Sequence, residues 1–294
     1  MTEAEVEADV CCANCGIAGV DDIKLKDCDG CDLVKYCTDK CREEHREQHE
    51  EECRKRKEKL HDRKLFRQPE ETHLGECPIC FLPLPRDRSK SMFRTCCSEV
   101  ICIGCVVANL MSNKNDELKA KRCPFCREVA DDDENDKRAM KRVKANDPAA
   151  LSYMAGKCYN EGDDEGMVEY FKKAADFGDL YAHYQLGCMC SERDIKKAVY
   201  HWETAAIGGH PLARYALACY EEEEHGNMER AVKHFIIAAN LGDEDSMKVL
   251  WKHYSLGNIT KENLDATLRT HQAAIDATKS AQREIGEAIS GASS

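Results

Sequence analysis

The sequence predicts a multidomain protein: two small modules built on clustered cysteines, followed by an all-α helical-repeat solenoid. Two observations carry this. Sixteen of the 20 cysteines lie in the first 126 of 294 residues, and a paired-alanine motif followed by glycine recurs through the second half. Units of about 40 residues rarely bury enough apolar surface to fold unaided and use metal or disulfides instead. The acidic start Met1-Thr2-Glu3-Ala4-Glu5 lacks a secretory pattern, so zinc is expected rather than disulfides, in an intracellular protein, cytoplasmic or nuclear.

Residues 12–53 form the first module. The pairs Cys12-x2-Cys15, Cys28-x2-Cys31 and Cys37-x3-Cys41 are followed by His49-x3-Cys53, enough for two four-ligand sites. The last two, four residues apart, fall on one face of a helix, as two ligands of one ion must. This spacing, with Tyr36 just before Cys37, resembles an MYND-type zinc finger. The resemblance implies interleaved ligation, Cys12, Cys15, Cys37 and Cys41 on one ion and Cys28, Cys31, His49 and Cys53 on the other. Cys11 is left over, and His45 stands at the wrong spacing. MYND fingers bind partner proteins, often through proline-containing peptides held partly by a tryptophan three residues before the ligand histidine. Here that residue is Arg46.

Residues 54–76 are expected to be a basic helical linker, with eight Lys or Arg among the 14 residues from Arg54 to Arg67. A solvated helix face explains them better than a nuclear signal or nucleic-acid contact. The net charge of −12, made more negative by bound thiolates, opposes a phosphate backbone. Nucleic acid is therefore not expected as a partner. No apolar run approaches the roughly 20 residues needed to span a bilayer, so no membrane association is expected either.

Residues 77–127 form the second module. It opens Cys77-Pro78-Ile79-Cys80 and closes Cys123-Pro124-Phe125-Cys126-Arg127, with Cys96-Cys97 and Cys102-x2-Cys105 between. Four pairs supply eight thiolates for two closed tetrahedral sites, which brings the expected total to four zinc ions per chain. The pattern resembles a RING finger. That resemblance implies Cys77, Cys80, Cys102 and Cys105 on one ion, with the second and fourth pairs on the other. The second pair departs from the family, because Glu99 stands where a ligand histidine is usual. Either Cys96 and Cys97 both bind, with Cys123 and Cys126, or one thiolate binds beside the Glu99 carboxylate; the paired thiolates are the expected set. The resemblance further implies that Ile79 and Pro124 contact a ubiquitin-conjugating enzyme and that Arg127 bridges it to ubiquitin, a task suited to a planar guanidinium.

A charged linker is expected at 128–146. From 147 to 256, Ala174-Ala175, Ala205-Ala206 and Ala238-Ala239 recur, each followed by Gly178, Gly209 or Gly242. Phe171, Trp202 and Phe235 precede the alanine pairs, and Ala150, Ala182, Ala213 and Ser246 open each unit. A period this close to 34 marks stacked helical hairpins, and the units resemble Sel-1-like repeats, relatives of the tetratricopeptide repeat. A capping helix is expected over 257–287, with Leu264, Leu268 and Ile275 on its apolar face, and a disordered tail over 288–294. Cys158, Cys188, Cys190 and Cys219 read as small buried positions rather than ligands. The whole reads as a RING-type ubiquitin ligase without catalytic residues of its own, its MYND finger and the concave face of its repeats recruiting protein partners. A non-enzymatic scaffold with an inactive variant RING is the alternative.

Overall fold

The structure, a computed structural model, describes residues 11–19, 24–129 and 132–291. Met1–Glu5, Asp131 and the residues beyond Gly291 lie outside them. The chain divides into two units, residues 1–67 and 68–294.

In the first unit, strands β1 (Lys26–Asp27) and β2 (Lys35–Tyr36) pair antiparallel, and helix α1 runs Asp39–Leu65. Thr38 caps α1 by accepting from the Cys41 N–H at 3.2 Å. The helix is too polar to be held by an apolar stripe. Charged pairs support it instead: Arg54 with Glu51 and Glu58, each at 2.8 Å, and Lys55 with Glu51 at 3.1 Å. Arg54 and Lys55 of the basic run are thus answered by acids of their own helix, and Arg56 by Asp32 at 2.6 Å.

In the second unit, strands β3 (Ser91–Arg94) and β4 (Glu99–Cys102) form a hairpin that leads straight into α2 (Ile103–Ser112), followed by α3 (Glu117–Ala120). Leu84, Ile101, Val106 and Val107 make a small core with Cys77, Cys102, Cys105 and Cys123. Helix α4 (Asp132–Lys144) occupies the segment expected to be a linker and packs on the first repeat helix, which follows it. Hairpins α5/α6 (Pro148–Glu161, Asp164–Asp176), α7/α8 (Leu180–Cys190, Ile195–Ile207) and α9/α10 (Pro211–Glu223, Met228–Asn240) follow, then α11 (Glu244–Ser255) and α12 (Lys261–Ala277). The repeat alanines and Phe171, Trp202 and Phe235 are buried, and Gly178, Gly209 and Gly242 end their hairpins at φ 85°, 88° and 86°.

Four expectations need correction. The buried face of α12 is Leu264, Thr267 and His271, whose Nδ1 lies 2.9 Å from the Ala239 carbonyl, whereas Leu268 is exposed. The expected single cap is broken at Thr278, and a separate helix α13 (Ala281–Ser290) packs on α2. This helix extends through residues 288–290, expected to be disordered. Among the repeat cysteines Cys158 is buried, but Cys188 is exposed.

Residues 68–94 lie against the hairpins. Gln68 accepts from Asn240 at 3.0 Å, the His73 N–H donates to the Gly209 carbonyl, and Arg86 pairs with buried Asp243 at 2.6 Å. The Arg88 guanidinium sits 4.1 Å over the Tyr181 ring, and Phe93 meets Tyr153. Asp147, Asp179 and Asp243 cap the first helix of their units, but His210 takes that role in α9. Its imidazole stacks on His73 at 3.9 Å and on Tyr184 at 4.6 Å, and burial holds it down to about 2 and thus neutral. Part of the repeat surface is therefore covered by the chain itself.

Gly209 allows this approach, because a Cβ there would lie 2.5 Å from the Glu71 carbonyl oxygen. Gly178 has nearly the same φ but open space around it. In urea melts of the zinc-loaded chain, Gly178→Ala should cost about 1 kcal/mol, for the left-handed backbone alone. Gly209→Ala should cost about 2–3 kcal/mol, because residues 71–73 must also move. Equal losses would show that the contact contributes nothing.

Candidate metal centres

Four groups of donor atoms converge, each within 4.8 Å of one another: Cys12, Cys15, Cys37 and Cys41; Cys28, Cys31, His49 and Cys53; Cys77, Cys80, Cys102 and Cys105; and Cys96, Cys97, Cys123 and Cys126. In both modules the pairs interleave. A zinc tetrahedron with Zn–S of about 2.3 Å has S···S edges of about 3.8 Å. The sulfurs of Cys15 and Cys37 are 3.5 Å apart, those of Cys28 and Cys53 3.7 Å, Cys80 and Cys102 3.8 Å, and Cys97 and Cys123 3.9 Å. A disulfide would bring them to about 2.05 Å, and every cysteine is free. These are the dimensions of metal cages.

Three cages share one local device. The Cys12, Cys77 and Cys123 carbonyls accept from the N–H four residues on, at Gly16, Phe81 and Arg127. Their own N–H groups donate to the carbonyls of Ile17, Leu82 and Glu128. All three fourth residues have positive φ, 73° at Gly16, 55° at Phe81 and 67° at Arg127. The resulting turn points the N–H groups of the knuckle at the sulfurs, as charged thiolates require. Cys102 and Cys105 instead come from the end of β4 and the first turn of α2.

The proton chemistry of the donors fits a cation. The Cys102 thiol donates to Cys77, which draws Cys77 down to about 4 and pushes Cys102 far above the ordinary thiol range. Neighbouring Cys15 pushes Cys37 up to about 12, and burial with Cys28 does the same to Cys53. Thiolates this close repel, so a full set ionises only around a dication. The four tetrads thus fit four zinc ions.

In the first module α1 carries Cys41, His45, His49 and Cys53 at four-residue steps along one face. His49 is buried, its Nε2 3.2 Å from the Cys31 sulfur. His45 takes another role: its Nδ1 meets the buried Tyr36 hydroxyl at 3.1 Å, and its ring stacks on His49. Arg46 is exposed and pairs with Glu43. Cys11 belongs to none of these groups and pairs with Ala18 across the knuckle.

In the second module the vicinal pair sits on the β3–β4 turn, where Ser98 takes φ 59°. Arg142 of α4 donates to the Thr95 carbonyl at 2.9 Å and the Cys96 carbonyl at 2.7 Å, holding that turn from outside. Glu99 pairs with Arg94 in the hairpin and is not in the donor group. Of the remaining singled-out residues, Ile79 is half-buried against the core, Pro124 is half-buried, and Arg127 is exposed. Phe81 and Phe125, on the same knuckles, are 71% and 45% exposed. Sequence reasoning passed over both, although each adjoins a cysteine ligand in the Cys-Pro-x-Cys motif.

Residues 12–53 match the family model of the MYND finger. A Sel1 repeat protein from Oxalobacter formigenes is 19% identical, the match covering 65% of this chain and 87% of that protein at a TM-score of 0.43. A protective antigen present in uropathogenic Escherichia coli strains, displaying an SLR fold, is 17% identical over 63% of this chain and 44% of its own, at a TM-score of 0.39. No curated protein matches the chain. An MYND finger, a further pair of cysteine cages and stacked helical hairpins make up a protein-interaction scaffold. Among the described residues, no helix is long and apolar enough to cross a membrane.

Elemental analysis of the purified chain should find four zinc ions, and two or fewer would exclude the paired-cage arrangement. Cys96→Ala and Cys97→Ala should each lose one ion, while Glu99→Gln should keep all four. Loss of metal in Glu99→Gln, with retention in one cysteine variant, would transfer the ligand role to the carboxylate.

Proposed function

We propose that the chain is a RING-type ubiquitin ligase whose second zinc module orients a ubiquitin-loaded conjugating enzyme. The observation that supports this reading is the surface of the two Cys-Pro-x-Cys knuckles. Large apolar side chains stand in solvent there, Phe81 and Phe125, next to Ile79 and Pro124. Exposed aromatics rimmed by polar residues mark a protein-binding surface. Arg127, exposed beside the last ligand, has its backbone set by the knuckle, which leaves the guanidinium free to bridge two proteins.

On this reading the chain contributes no nucleophile. Ile79 and Pro124 would seat the conjugating enzyme, and Arg127 would hold its ubiquitin in the reactive arrangement, so that a substrate lysine attacks the thioester by proximity and orientation. The MYND finger and the uncovered repeat surface would hold the substrate or an adaptor. The all-cysteine second cage, which lacks the usual histidine, favours the other reading, a scaffold whose RING has no ligase activity.

Ile79→Ala should weaken binding of the conjugating enzyme and lower ubiquitin transfer together, by about tenfold or more. Arg127→Ala should leave binding near wild type yet slow thioester discharge by a similar factor, because its contact forms mainly in the reactive arrangement. Zinc content should stay at four in both. A wild-type chain that discharges no member of a broad panel of conjugating enzymes would leave the scaffold reading in place.

A further inference from the structure

Helix α13 stands apart from the repeats, and its contacts converge on one cage. It crosses α2 where Gly104 faces Gly286. A Cβ on Gly104 would lie 2.7 Å from the Arg283 Cα, and one on Gly286 would lie 2.6 Å from the Gly104 Cα. Glycine on both helices lets the backbones approach this closely. The approach brings two donors to zinc-binding sulfurs. Gln282 Nε2 lies 3.3 Å from the Cys105 sulfur, and Arg283 Nη2 lies 3.4 Å from that of Cys80. Arg283 is 2% exposed and also donates to the carbonyls of Pro83 at 2.7 Å, Leu82 at 3.0 Å and Thr278 at 2.7 Å. Glu287, one turn on, pairs with Lys90 at 2.9 Å.

Four thiolates around one zinc leave a net charge of −2, and a buried anion is stable only with donors or cations close by. The guanidinium supplies both to Cys80. In return, the cage supplies the anion that a buried arginine requires. We propose that α13 is a clamp on the Cys77–Cys80–Cys102–Cys105 site, so that retention of that zinc and docking of the helix are two sides of one equilibrium. Hydrogen bonds from Gln282 and Arg283 withdraw charge from the sulfurs, which lowers their reactivity toward protons, oxidants and competing chelators. Loss of the metal leaves Arg283 buried without its counter-charge, and the helix releases. The inference rests on zinc occupying that tetrad and is independent of ligase activity.

The test measures zinc release from the full chain, first shown to hold four ions, into excess chromogenic chelator, with iodoacetamide labelling of cysteines mapped by mass spectrometry. Gln282 is exposed, so Gln282→Ala should fold normally, and it removes only the bond to Cys105. It should release one of the four ions about tenfold faster, with Cys105 labelled ahead of its wild-type order; second-shell changes commonly weaken metal binding by about 10–100-fold. Arg283→Ala should accelerate the same ion further and expose Cys80, and Arg283→Lys should recover part of the loss. Stripping zinc from the wild-type chain should raise amide exchange in residues 284–290. Wild-type release rates in Gln282→Ala, or acceleration of an ion whose cysteines map to another tetrad, would overturn the clamp. Unchanged exchange in 284–290 on zinc removal would overturn its reciprocity.

Discussion

Residues 68–294 are organised by the cost of burying negative charge. Each all-cysteine cage is an anion inside a core that Leu84, Ile101 and Val106 could not by themselves make stable. Backbone N–H groups of the knuckles supply part of the compensation. Two arginines from outside the module, Arg142 and Arg283, complete it, one holding the carbonyls of the turn that carries Cys96, the other reaching Cys80 directly. Through these two residues α4, which follows the module in sequence, and α13, at the far end of the repeats, become part of it. Structural zinc contributes about 10–16 kcal/mol to modules of this kind. In this chain, that contribution reaches helices bearing no ligand.

The knuckles also explain where the candidate partner surface lies. A left-handed residue is required four positions after the first cysteine, and glycine meets it at no steric cost, as at Gly16. The second module places Phe81 and Arg127 there instead, at a cost of about 1 kcal/mol each. Both side chains project into solvent from a backbone that the metal cage holds rigid. Among the described residues of the MYND finger, no residue other than glycine takes a positive φ.

The ligand sets and the repeat register were legible in the sequence because each follows from one constraint at a fixed spacing. Two donors separated by two residues can meet one ion, and an alanine pair with a trailing glycine can only be the close-packed end of a hairpin. His45 could be set aside on spacing alone, although its bond to Tyr36 could not be foreseen. What escaped the sequence acts over long separations. Arg283 and Cys80 are 203 residues apart, and nothing local to Gly286 distinguishes a helix crossing from a weak helix position. His73 reads as linker, and Arg86 and Arg88 as interior to the second module, because their partners, Gly209, Asp243 and Tyr181, lie in a different part of the chain. On α12, apolar periodicity points to Leu268, whereas the buried stripe runs through Thr267 and His271, whose polar atoms are satisfied by carbonyls of Asn263 and Ala239.

The Gly104–Gly286 crossing imposes an order on biosynthesis. All eight cysteines of the second module have left the ribosome once Cys126 has emerged, so both cages can load metal at that stage. Helix α13 begins only at Ala281, roughly 155 residues later. At about 5–20 residues per second, this leaves roughly 8–30 s in which the module carries zinc with Gly104 bare and Cys80 and Cys105 without their outer donors. A nascent chain is thus most open to metal exchange and thiol oxidation during synthesis of the repeats. A message truncated anywhere in the repeats would leave its product permanently in that exposed form.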